Sequence, residues 1–171
     1  MNPRSLILLL LLLLSLPAAA QLPPNEVSLS LGRWDSSELG DAPVFGVTYN
    51  RYWARMFSTR LGVFGSREGD FTNAAAHAGV AAHLFRASRI SPWVAAGVAQ
   101  AYARRAGSDD HFVGFEMLLT GIYSGGVDVK VSPRFAVGAE MSYMNYEMML
   151  GDRYGYRADP VMVMVTGRWR Y

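Results

Sequence analysis

The chain has 171 residues and no cysteine, which excludes disulfides, thiolate metal sites and a lipid-modified cysteine anchor. Its formal charge is +2, and the charges are scattered instead of gathered in a basic stripe, so no nucleic-acid partner is implied. Half of the residues are hydrophobic, yet after residue 20 no apolar run is long enough for a bilayer helix.

The first twenty residues, MNPRSLILLLLLLLSLPAAA, combine a short basic start, a leucine run and a small-residue end. That pattern predicts a signal peptide over 1–20, cleaved before Gln21. The alternative is an uncleaved anchor, which the short run and Pro17 disfavour. Cleavage takes Arg4 from the 16 basic residues and none from the 14 acidic ones, leaving the remainder near neutral. By length, 21–171 is one domain.

Eight alternating runs follow in chain order: 26–34, 43–53, 54–65, 74–85, 91–103, 111–131, 134–146 and 161–171. One face of each run is apolar. Phe57, Leu61 and Val63 oppose Ser58, Arg60 and Gly62. Ala78, Val80, Ala82 and Leu84 oppose His77, Gly79, Ala81 and His83. Val127, Val129 and Val131 oppose Gly126, Asp128 and Lys130. Phe135, Val137, Ala139, Met141 and Tyr143 oppose Ala136, Gly138, Glu140 and Ser142. The last run sets Val161, Val163, Val165, Gly167, Trp169 and Tyr171 against Met162, Met164, Thr166, Arg168 and Arg170.

A soluble barrel turns its large apolar residues inward. Here the face opposite the apolar row is built of small and ionised residues, which suit a narrow lumen better than a soluble core. In hydrocarbon every backbone polar group must be bonded internally, so a sheet that crosses a membrane has to close. Eight runs match the smallest natural transmembrane barrels. The prediction is therefore an all-β, eight-stranded antiparallel up-and-down transmembrane β-barrel over 21–171, preceded by a cleavable signal peptide. Long polar connections (DSSELGDA, SREGDFTN, 104–110 and EMMLGDRYGYRADP) alternate with short joins, which puts both termini at the short-turn end. Trp34, Tyr49, Trp53, Trp93, Tyr143, Trp169 and Tyr171 are expected in the interfacial belts.

Three stretches carry a family resemblance: SPWVAAGVAQAY (91–102), SGGVDVKVSPRFAVGAEMSY (124–143) and VTGRWRY (165–171). The chain resembles the small outer-membrane β-barrel superfamily of Gram-negative bacteria, which includes OmpA-like, OmpX-like and OmpW-like barrels. The resemblance covers essentially all of 26–171. It implies residence in a bacterial outer membrane, periplasmic termini and outward-facing longer loops. It also implies contact with outer-membrane lipid and lipopolysaccharide. Val165, Gly167, Trp169 and Tyr171 are similar to the C-terminal signal read by the outer-membrane insertion machinery. Tyr171 stands where phenylalanine is more usual. Because the fold serves anchors, adhesins, enzymes and channels alike, it does not settle function.

Candidate sites are few. Arg60, Glu116, Asp128, Lys130, Glu140 and Arg168 are expected to form a polar network in the lumen, since enclosed charges need partners. Which acid meets which base is left open. His77 and His83 share a face about 20 Å apart along the strand, too far for one metal or one catalytic pair. They read as polar lumen groups. His111, beside Asp109 and Asp110, reads as part of a solvated loop before a cation site. No His-x-Ser pair of the lipid A deacylase kind occurs, and Ser142 has no histidine nearby in sequence. In the last loop Arg153, Tyr154, Tyr156 and Arg157 are possible contacts for lipopolysaccharide phosphates or partner carboxylates. The loop reads first as a cover of the barrel mouth or an extension of its strands.

Neither a catalytic residue nor a cofactor or metal is assigned. The expected protein is a monomeric, non-enzymatic integral membrane protein with a passive structural or surface-interaction role. The alternatives are a narrow channel for small solutes, using the space left by Gly79, Ala81, Ala95 and Gly97, and a lipid A-modifying enzyme.

Overall fold

Strict two-residue alternation, broken only at turns, dictates a sheet with two chemically distinct faces. A computed structural model describes residues 23–36, 40–68, 71–105, 118–145 and 161–171. It contains eight strands: β1 (Asn25–Ser36), β2 (Gly40–Tyr52), β3 (Phe57–Glu68), β4 (Phe71–His83), β5 (Ile90–Arg105), β6 (Leu118–Lys130), β7 (Phe135–Asn145) and β8 (Val161–Arg170). Each pairs antiparallel with its neighbour in sequence, and β8 returns to β1, so the barrel is closed. The strand termini meet at the seam, where Asn25 and Tyr171 exchange backbone hydrogen bonds of 3.2 and 3.0 Å.

The register sets the size of the ring. Successive partners run from Asn25 through Arg51, Thr59, Val80, Ala96, Tyr123, Tyr143 and Val161 back to β1 at Asp35, ten residues beyond the start. A stagger of ten over eight strands corresponds to a tilt of about 40° and a Cα radius of about 8 Å. An interior that narrow is filled by side chains.

The faces resolve as the alternation predicts. Val163 and Leu31 are 58% and 70% exposed, while Asp128 and Arg168 are fully buried. Valines, leucines and aromatics cover the outside of a sheet that leaves no edge open. That combination makes this a transmembrane β-barrel. Two of the expected belt residues are corrections. Trp34 and Trp93 are each 2% exposed and lie in the lumen. Parity explains both: Trp34 shares its face with Glu26, Ser28 and Ser30, and Trp93 shares its face with Ser91.

The alternation of long and short connections is also corrected. β1 and β2 leave only 37–39 between them, and β3 and β4 leave only 69–70. The stretches DSSELGDA and SREGDFTN, expected as long loops, are mostly strand. Polar composition there marks where the wall leaves hydrocarbon, since a strand facing water keeps its ladder with polar side chains. The connections at the other end, 53–56, 84–89 and 131–134, are as long or longer.

Glycine matters where backbones or rings come close. Gly97 faces Gly79 across the β4–β5 ladder, and a Cβ on Gly97 would lie 2.6 Å from the Gly79 Cα. Gly126 leaves space for the indole of Trp93, which a Cβ there would meet at 2.8 Å.

Candidate functional site in the lumen

Six inward residues toward the end that holds the chain termini come from five strands and form one ionic cluster. Arg168 on β8 is its centre. Its Nε lies 2.8 Å from Asp128 Oδ1, its Nη1 3.2 Å from Glu26 Oε1 and its Nη2 3.4 Å from Glu140 Oε2. Arg170 adds a 2.7 Å contact from Nε to Glu26 Oε2, and Arg60 donates to Glu140 Oε1. Three arginines therefore face three carboxylates, and the cluster is neutral as a whole. A planar guanidinium with five donors can serve several carboxylates at once, which a lysine ammonium cannot do in this geometry.

Neutral groups complete the shell. Asn50 donates to Glu26 Oε1 at 3.1 Å, and Ser142 to Glu140 Oε1 at 3.2 Å. The Trp93 ring lies between two cations, 4.5 Å from Arg60 Cζ and 4.9 Å from Arg168 Cζ. Cation–π contact of this kind gains strength where water is excluded. At the mouth, Arg86 from the 84–89 turn covers the Tyr52 ring and donates to the Pro23 carbonyl. Pro23, just ahead of β1, is thereby held against the barrel end.

The other half of the lumen is apolar. Trp34, Val44, Phe64, Ile122, Met144, Met162 and Met164 are buried together with Ala75, Ala99 and Ala101. The Trp34 and Phe64 rings are tilted at 5.9 Å. Between the two halves lie two small cavities that share Arg60, His77 and Ile122, each of about 10 Å³, the space of one water.

Of the expected network residues, Arg60, Asp128, Glu140 and Arg168 are brought together. Lys130 lies at the turn-end rim, half-buried, with no ion pair among the described residues. Glu116 lies outside the described residues, as do His111, Asp109, Asp110, Arg153, Tyr154, Tyr156 and Arg157. Val165, Trp169 and Tyr171 face outward on β8 and beside it. Glu26 and Arg170 are network members that sequence reasoning missed. Their parity with Ser28 and Arg168 was the available signal.

His77 and His83 both face inward. His83 Nε2 lies 3.0 Å from Ser58 Oγ, a pairing invisible in sequence because 25 residues separate them. The β3–β4 register brings them together, since Ser58 sits opposite Ala81. Both are buried, beside Tyr52 and Trp93 and away from lipid. A serine so placed cannot meet a lipid acyl chain. Among the described residues no group of three acidic or histidine side chains is arranged to hold a metal ion.

No family model matches the chain, and no curated protein matches it. Solved structures do. The crystal structure of Neisserial surface protein A is 15% identical, with 86% of this chain and 96% of that one covered and a TM-score of 0.65. The N-terminal β-barrel domain of Pseudomonas aeruginosa OprF is 13% identical over 87% and 99%, at 0.66. The chain has the fold of the small outer-membrane β-barrels. The outer-membrane enzyme PagL, 15% identical over 85% and 99% with a TM-score of 0.53, shares it too. At these identities the likeness concerns architecture alone, and the same architecture carries an enzyme and a surface protein.

Proposed function

We propose that this protein is a passive integral component of a Gram-negative outer membrane, with a structural or surface-interaction role. One observation carries the proposal: among the described residues the lumen is filled by a neutral ionic cluster below and an apolar cluster above, and the two cavities between them each have the space of about one water. A solute would have to displace buried arginines, and no reactive group is presented to lipid among the described residues.

In this reading residues 1–20 are a signal peptide, cleaved before Gln21, and 21–171 cross the outer membrane as a monomer. Both mature termini face the periplasm, and the longer connections around 106–117 and 146–160 face outward. The insertion machinery reads Val165, Gly167, Trp169 and Tyr171 during assembly. Arg153, Tyr154, Tyr156 and Arg157 contact lipopolysaccharide or a surface partner.

Conductance across planar bilayers tests the proposal. The expected trace is silent, and a steady opening would make the protein a small-solute channel instead. Mass analysis of lipid A from cells with and without the protein should show identical acyl patterns. A change in acyl chains would replace the passive role with an enzymatic one.

A further inference from the structure

The exposed charged side chains described at the turn end of the barrel are of one sign. The two acidic side chains near it, Glu26 and Asp128, are buried and paired inside. What remains on the described surface is basic: Arg51 on the outer wall of β2, Arg55 in the 53–56 turn, Arg89 in the 84–89 turn and Arg134 in the 131–134 turn are all exposed. None of the four has an ion pair among the described residues. The opposite rim is mixed, with Asp35 exposed and Arg33 paired with Asp41.

Each turn arginine stands next to exposed apolar side chains. Arg55 lies between Trp53 and Phe57, whose rings stack at 5.5 Å. Arg89 precedes Ile90 and follows Phe85, which is 70% exposed at a φ of 53°. Phe85 thus holds an aromatic ring outward in a conformation that L-residues seldom adopt. Arg134 precedes Phe135 in the turn that begins with Val131, which is 66% exposed. The three turns are spaced around the ring, and the seam between β8 and β1 occupies the fourth position. A cation flanked by a ring that enters hydrocarbon matches the boundary between acyl chains and phosphate.

We propose that this end of the barrel is a collar that selects anionic glycerophospholipids, holding their phosphates on Arg51, Arg55, Arg89 and Arg134 while the neighbouring rings sit among the acyl chains. The collar lies at the end away from the longest connections. It is a lipid site in addition to the passive role and does not depend on it. An acidic soluble protein would satisfy the charges but would leave Trp53, Phe85 and Ile90 without an apolar partner.

The protein reports on its own collar. Trp34 and Trp93 are enclosed in the lumen, whereas Trp53 and Trp169, both exposed, lie at the turn end. Full-length protein refolded into phosphatidylcholine vesicles is given a small fraction of acyl-brominated phosphatidylglycerol or acyl-brominated phosphatidylcholine, and tryptophan quenching is compared. Quenching by the anionic lipid should exceed that by the zwitterionic lipid about 3-fold, and the preference should fall at high salt. Replacing all four arginines (Arg51→Gln, Arg55→Gln, Arg89→Gln and Arg134→Gln) should bring the ratio to one. The pair Arg33→Gln and Arg67→Gln at the opposite rim should leave it intact.

Retention of the folded, heat-modifiable form on gels controls for assembly. If the fourfold variant does not assemble, the two double variants (Arg51→Gln with Arg134→Gln, and Arg55→Gln with Arg89→Gln) should each lose part of the preference. Equal quenching by the two lipids in the unmodified protein would overturn the proposal. So would a preference that survives in the arginine variants or disappears in the opposite-rim pair.

Discussion

The two halves of the lumen solve one packing problem with opposite chemistry. Near the termini, Arg60, Arg168 and Arg170 close the interior against Glu26, Asp128 and Glu140. Toward the far end, Trp34, Phe64, Met144, Met162 and Met164 close it by contact alone. The first half is directional and intolerant, because each guanidinium is placed by partners on other strands. The second is adaptable, because methionine fills irregular space at little cost. The difference teaches that a narrow barrel needs its ions to be complete but its hydrophobes only to be about the right volume.

Breaking the ionic half should be the larger insult. Arg168→Met removes the one group that touches all three carboxylates, and a loss of about 3–5 kcal/mol is expected in urea unfolding from lipid vesicles. Glu140→Gln leaves Arg60 buried without its carboxylate and should cost about 3 kcal/mol in the same measurement. If either variant unfolds like the parent, the cluster is not what holds the lower half together.

The apolar half sharpens the comparison from the other side. Met162→Ala should cost about 2–3 kcal/mol through an unfilled cavity. Removing Phe64 and Met162 together should still leave planar bilayers silent, because the ionic layer beneath stays closed. Ion conductance in that double variant would show that the hydrophobes are the seal. On the wall, Gly97→Ala forces a Cβ toward β4 and should cost about 1–2 kcal/mol, read as a lower unfolding midpoint. The smallest effect is expected from Trp53→Ala, under about 1 kcal/mol, since its ring lies outside both halves.

Strand number, order and, apart from Trp34 and Trp93, facing were legible in the sequence because parity is a one-residue rule and the outer face repeats it eight times. The wall of β8 is the clearest example: Val163 and Val165 outside, Met164 and Arg168 inside. The division of the lumen was not legible. Parity says that Trp34 and Arg168 share the interior but is silent about height, which the ten-residue stagger sets. The same limit hid Glu26 and Arg170, whose role depends on the seam between the first and last strands. It also hid Ser58 beside His83, which needs the hairpin register. Strand ends were overwritten by composition: Asp35 and Asp41 read as loop yet pair in a ladder while facing water, and Ser66 pairs in one while facing the lumen.

Arg168 and Arg170 reach Glu26 across 142 and 144 residues of chain. Glu26 can therefore be neutralised by them only after the last strand has met the first, although Arg168 also meets Asp128 and Glu140 within β6–β8. A half-made cylinder leaves that carboxylate without its arginines, so partial assembly is penalised in lipid and closure removes the penalty in one step. The interior works as a latch that fastens only when the circle is whole.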